Sequence, residues 1–200
     1  MSTVVVACFA FLSGSIPFGV LLSRLVAGRD VRSVGSGNIG AANVARAAGM
    51  GTGIAVAVLD VTKGMVPVWI GALAGLENTA LALVALMAVI GHDFSLFLRF
   101  RGGKGVATTL GVILVLAPAA ATAAIVTWVV VVFLWRYTSL ASLVALALLP
   151  LFLAVTGQPA IYVVLGSLLF VLSALKHWEN IVRLANGREP KIRQRVSDAG

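Results

Sequence analysis

No Asp, Glu, Lys or Arg interrupts residues 106–135, and that uncharged run limits what the chain can become. As one straight helix at 1.5 Å per residue it would reach about 45 Å, against a bilayer hydrocarbon core of about 30 Å. Pro118 stands where a break divides the run into a short arm and a normal one, since proline ends helices by removing a donor and crowding the preceding turn. The run is therefore expected to form a broken hairpin near Pro118. Composition agrees with a membrane setting, because 60% of the residues are hydrophobic and 11% charged. Soluble domains run near half apolar and a quarter charged.

Four further stretches read as spans in one domain covering residues 1–200: 4–22, 54–75, 137–155 and 160–175, with a shorter one at 78–90. The expected fold class is all-α, a polytopic integral membrane protein with about seven transmembrane helices. Ser13, Gly14, Ser15 and Pro17 inside the first span suit close helix packing or a kink, with freed backbone groups satisfied by neighbours. Of the fifteen Lys and Arg, fourteen fall in residues 24–46, 99–104, 136 and 176–195. The connections around Glu77, Pro118 and Gln158 carry none. Basic residues mark cytoplasmic loops, so the expected topology puts the N-terminus outside and the C-terminus inside. The polar tail after Val196 is expected to fray.

The formal charge of +8 thus reads as topology and not as a nucleic-acid surface, there being no interleaving of aromatic and basic residues. Cys8 lies alone in the first apolar run and offers neither a disulfide nor a metal cluster, so it is expected to be a small core residue. No Lys or Arg precedes Arg24, so the first helix does not resemble a cleaved secretory signal.

Three polar stretches fall on the expected cytoplasmic face. Residues 91–109 read G-H-D-F-S-L-F-L-R-F-R-G-G-K-G-V-A-T-T, where Arg99, Arg101 and Lys104 stand among Gly102, Gly103 and Gly105. Cations beside bare glycine backbone suit an oxyanion, because N–H groups approach it with no Cβ in the way. Residues 32–49 read R-S-V-G-S-G-N-I-G-A-A-N-V-A-R-A-A-G, a glycine-rich loop with Ser36, Asn38, Asn43 and Arg46 as donors. Neither is a Walker A loop, since Lys104 is followed by Gly105 and Val106. In residues 176–192, His177, Asn180 and Arg183 are spaced along one helical face. Asp60 and Lys63, three apart inside the second span, are expected to form a structural ion pair that supports the loops.

Taken together, G-S-I-P-F-G (residues 14–19), G-S-G-N-I-G-A-A-N-V-A-R (35–46), D-V-T-K-G (60–64), the 91–108 loop and H-W-E-N-I-V-R-L-A-N-G-R-E-P-K-I (177–192) resemble the bacterial acyl-phosphate-dependent glycerol-3-phosphate acyltransferases. The resemblance covers nearly the whole chain in order. Three positions depart from the family's usual pattern: Ile39 for Pro, Ala42 for Thr and Ser95 for Pro.

The resemblance implies transfer of a fatty acyl group from acyl phosphate to the 1-hydroxyl of glycerol 3-phosphate, in the bacterial inner membrane with the site on its cytoplasmic face. It implies no metal and no cofactor, and membrane lipid as a partner. Lys104, His177 and Asn180 would be the catalytic residues. Ser36, Gly37, Asn38, Gly40, Asn43, Arg46, His92, Gly102, Gly103 and Gly105 would bind substrate, with the main chain of Gly102 to Gly105 on the donor phosphate and the 36–46 loop on glycerol 3-phosphate. The two phosphate sites are interchangeable on sequence alone. No H-x-x-x-x-D box follows either histidine, Phe97 and Val182 standing where the Asp would be, which argues against an acyl-CoA donor. The competing class is a small organic-phosphate transporter or channel, although the chain lacks the internal symmetry and paired interrupted helices common in such proteins.

Overall fold

A computed structural model describes residues 2–192, all helix and connection with no strand among them. The polar tail after Val196 lies outside the described residues. Ten α-helices follow in order: α1 (Thr3–Ser15), α2 (Phe18–Ala27), α3 (Ala41–Ala48), α4 (Met50–Leu73), α5 (Asn78–Asp93), α6 (Val106–Leu116), α7 (Pro118–Trp135), α8 (Thr138–Val155), α9 (Ala160–Lys176) and α10 (Trp178–Ala185). Among the described residues five helical stretches are long and apolar enough to cross a membrane, and six if α9 and α10, bent by 66°, count as one. The shorter apolar α6 adds a seventh apolar segment.

The uncharged run breaks where proline predicts. Helix α6 stops at Leu116, Ala117 takes an extended φ of −153°, and Pro118 opens α7 at the position where its missing N–H costs nothing. At 11 residues α6 is only about 17 Å long, the short arm of the pair. It packs mainly on α4, whereas α7 packs on α8. The first span breaks too: Ile16 is extended, Pro17 follows, and Gly28 closes α2 in the left-handed region at φ 62°.

Small residues set the helix spacing. A Cβ on Gly14 would overlap the Ala88 carbonyl, and one on Gly91 the Phe11 carbonyl, so α1 and α5 lie backbone to backbone. Gly64 and Gly111 do the same for α4 and α6, against the Thr108 and Val61 carbonyls. The outer surface is apolar, with Leu25, Leu73 and Phe133 at 72–82% exposure, as a lipid-facing surface should be. Cys8 also points outward, correcting the expectation of a core residue. The first span needs its inner face for small residues packed on α5, which leaves the thiol on the other side.

The 32–49 stretch is more ordered than its glycines suggest. It holds a single 3-10 turn (Val31–Ser33) and α3, whose Val44 is buried with Val20, Val31, Ile39 and Val56. Beneath the loops, Lys63 Nζ sits 2.8 Å from Asp60 Oδ1, with both side chains about 3% exposed, and donates to the Ile16 carbonyl at 2.8 Å. The buried pair thus satisfies a backbone group freed by the Pro17 break.

Candidate active site

The three polar stretches converge. Ser36, Gly37 and Asn38 from the first, Gly102, Gly103 and Lys104 from the second, and Lys176, Glu179, Asn180 and Arg183 from the third line one cleft of about 190 Å³. Three cations and one carboxylate border it, a balance suited to a phosphate dianion.

The first wall depends on Asn43, which faces inward instead of lining the cleft. Its buried amide donates to the carbonyls of Val31, Val34 and Asn38, and its Oδ1 accepts from Ser36 N at 3.1 Å. Asn38 Oδ1 accepts from Gly40 N at 2.7 Å, and Gly35 and Gly37 take φ of 57° and 67°, a conformation open to glycine. Arg46 lies half-buried in the last turn of α3, away from the cleft lining. Ala42 is exposed and Ile39 fills the small core beneath, so neither departure touches the cleft. Ser95, the third departure, donates to the Ser15 carbonyl at 2.5 Å and so anchors the second loop to α1.

In the second wall, the N–H groups of Gly102 and Gly103 are committed to the carbonyls of Asp93 (3.2 Å) and His92 (3.0 Å). They therefore close the loop upon itself, which corrects their expected use as donors to phosphate. Their lack of side chains is still required, since a Cβ on Gly103 would overlap the His92 ring. His92 is accordingly buried behind the loop, outside the cleft lining. Gly105, at φ 71°, starts α6 above the buried Asp93 carboxylate, whose oxygens have no hydrogen-bond partner among the described residues.

Lys104 reaches across to Asn180 Oδ1. Burial pushes the Lys104 ammonium down to about 8, with partial compensation from the Glu189 carboxylate. Asn180 Nδ2 donates to Glu189 Oε1 at 2.6 Å, Ser139 Oγ donates to the same oxygen at 2.7 Å, and Arg183 Nε donates to Oε2 at 2.8 Å. Burial alone would raise the Glu189 pKa, but these bonds outweigh it and hold the carboxyl below its ordinary value. Glu189 thereby fixes which way the Asn180 amide faces and turns its carbonyl oxygen to Lys104.

His177 stands at the α9–α10 bend, buried, its Nδ1 2.8 Å from the Ser173 carbonyl. A carbonyl only accepts, so Nδ1 carries the proton and Nε2 the lone pair in the neutral ring. It does not line the cleft. Lys176, Glu179 and Glu189 were not singled out from the sequence. Arg183 was, through its spacing from Asn180. Among the described residues no group of three or more His, Cys, Asp or Glu is arranged to hold a metal ion.

The family model described as glycerol-3-phosphate acyltransferase matches residues 4–187. A glycerol-3-phosphate acyltransferase of Rhodospirillum rubrum is 45% identical over 195 residues, covering 94% of this chain and 90% of that protein. One of Anaeromyxobacter sp. is 48% identical over 195 residues, covering 94% and 96%. The fold is similar to the crystal structure of PlsY (YgiH), an integral membrane glycerol 3-phosphate acyltransferase, in its glycerol 3-phosphate form, with a TM-score of 0.92 and 40% identity over 96% of both chains. The lysophosphatidic acid form of PlsY gives a TM-score of 0.88 at 38% identity, covering 96% of this chain and 95% of that one. Sequence, fold and the ordered motifs agree along nearly the full length, and the chain belongs to the glycerol-3-phosphate acyltransferase family.

Proposed function

We propose that this membrane protein, a glycerol-3-phosphate acyltransferase, takes its acyl group from an acyl phosphate and passes it to the 1-hydroxyl of glycerol 3-phosphate, releasing lysophosphatidate and inorganic phosphate for phospholipid synthesis. The observation that carries the reading is the single cleft where a cationic glycine loop, a second glycine loop and the Asn180 helix meet, with Lys104 bonded across it. Two phosphate-bearing substrates need two anion-seeking walls, and a mixed anhydride needs no covalent enzyme intermediate.

In the proposed step the hydroxyl oxygen attacks the acyl carbon directly, aligned by the two held phosphates. The carbon–oxygen bond to phosphate then breaks, and the hydroxyl proton passes to an oxygen of the departing phosphate. Lys104 stabilises the charge that develops on that side. Ser36 and Asn38 hold glycerol 3-phosphate, on a loop that Asn43 keeps folded. Asn180, fixed by Glu189, orients Lys104 and the incoming hydroxyl. His177 supports the bend from which Asn180 projects. The chain acts as one domain in the bacterial inner membrane, with membrane lipid as its surroundings and neither metal nor cofactor in the chemistry.

Purified protein in liposomes tests the reading against a phosphate carrier. Glycerol 3-phosphate with acyl phosphate should yield lysophosphatidate and phosphate, whereas uptake of glycerol 3-phosphate without acylation would contradict the enzyme reading.

Two predictions arise here. Lys104 is charged below about pH 8, so kcat/KM should fall as pH rises through about 8, by about tenfold per unit. Lys104→Arg should flatten that limb at reduced activity, because a planar fork replaces a compact ammonium. A pH profile of each protein checks this. Topology follows the charge distribution, with the site on the cytoplasmic face. In a Cys8→Ser background, cysteines at Asn78 and Gln158 should react with an impermeant thiol reagent from outside, and cysteines at Gly28 and Asn186 should not. External labelling at Asn186 would overturn this orientation.

A further inference from the structure

The cleft takes Lys104 but leaves the two other cations of the same loop outside. Arg99 and Arg101 are exposed, and their guanidinium groups have no ion-pair or hydrogen-bond partner among the described residues. Interleaved with them, Leu96, Phe97 and Phe100 are 43%, 60% and 58% exposed. This is not a slack loop. Leu98 N and Phe100 N both donate to the Ser95 carbonyl, at 3.1 and 2.8 Å, and Arg101 N donates to Leu98 O at 3.2 Å. Ser95 is itself bonded to Ser15, and Leu98 turns inward against the core of Val20, Val31 and Val44.

Arg99 and Phe100 also occupy the left-handed region, at φ 53° and 62°, where residues with a Cβ are uncommon. A bonded backbone in that conformation holds two aromatic rings and a leucine outward instead of letting them fold onto the protein. Leu96 and Phe97 lie in the last turn of a membrane-length apolar stretch, Asn78–Leu98, and Arg99, Phe100 and Arg101 come immediately after it, so the group stands at the depth where a span ends. Rings set into the headgroup and acyl boundary beside unpaired arginines match an anionic lipid surface in both polarity and charge.

We propose that residues 96–101 form a binding site for anionic membrane phospholipid, with Leu96, Phe97 and Phe100 seated in the interface and Arg99 and Arg101 on the headgroup phosphates. The site anchors the outer end of the loop whose inner end, Gly102 to Lys104, forms a wall of the cleft. It rests on the protein being embedded in a membrane and on no step of the acyl transfer, so it stands or falls apart from the identity of the donor.

The test uses the full chain in lipid nanodiscs, with Cys8→Ser and Phe97→Cys carrying a small apolar fluorophore. Quenching is compared between brominated phosphatidylglycerol and brominated phosphatidylcholine at equal mole fraction. Both should quench, and phosphatidylglycerol should associate more strongly by about fivefold for each arginine. Arg99→Gln with Arg101→Gln should abolish that preference while leaving the KM for acyl phosphate in detergent unchanged. Equal quenching by the two lipids, or a preference that survives the double substitution, would overturn the proposal. So would an unquenched probe, which would place the loop in water or under another protein. A raised KM for acyl phosphate in the double variant would overturn it as well, by assigning the arginines to the donor.

Discussion

Lys104→Ala should lower kcat about 100- to 1,000-fold in a protein that still folds. Removing one charge-stabilising donor from a site shielded from water costs roughly 3 to 4 kcal/mol of transition-state stabilisation. Lys104 is positioned for that role because its ammonium is bonded to Asn180 and faces the cleft between the three walls. Its removal leaves the Asn180–Glu189 bond and the Ser139 and Arg183 contacts in place, so the fold should persist. The measurement is turnover at saturating substrates alongside thermal unfolding in detergent. Near-normal turnover in a folded protein would remove Lys104 from the chemistry.

Lys63→Ala is the substitution expected to damage the fold most. It strips the partner from Asp60, a carboxylate about 3% exposed, and removes the donor to the Ile16 carbonyl at the break in the first span. Leaving one member of a buried pair uncompensated costs about 3 to 5 kcal/mol. Replacing both members, Asp60→Leu with Lys63→Met, should recover most of that loss, since a buried pair exchanged for apolar groups of similar size is often close to neutral. Thermal unfolding of the two variants in the same detergent checks the order. If Lys63→Ala matched the parent protein, the pair would not be what holds α1, α2 and α4 together beneath the loops.

Much of this organisation was legible in the residues. An uncharged run too long for one span, with Pro118 inside it, sufficed to place the α6–α7 break, and charge clustering put three polar stretches on one face. Helix α3 was not legible, because an eight-residue helix bounded by glycines has little stability alone and forms here through Val44 packing on Val20 and Val31. Individual side chains were harder still. Asn43 resembles a ligand donor in sequence, and only the folded loop shows its amide already committed to three carbonyls. The inward N–H groups of Gly102 and Gly103 are of the same kind, fixed by carbonyls at the end of α5. Glu189 meets Ser139 across fifty positions of chain, a distance over which no periodicity carries information. In sequence Lys176 is only one of the basic residues in 176–195, yet it lines the cleft and donates to the Asp93 carbonyl at 2.9 Å.

The central claim is that the loops hold two phosphates, one of them attached to the reacting acyl carbon. Donor specificity tests it most directly. Purified protein, glycerol 3-phosphate and EDTA are combined with acyl phosphate or with the matching acyl-CoA, and lysophosphatidate and released phosphate are measured together. Acyl phosphate should give the two products in equal amounts with EDTA present, and acyl-CoA should be a poor donor, because its thioester carbon carries no phosphate for the Lys104 wall to hold. Equal use of acyl-CoA, or activity abolished by EDTA, would contradict the account.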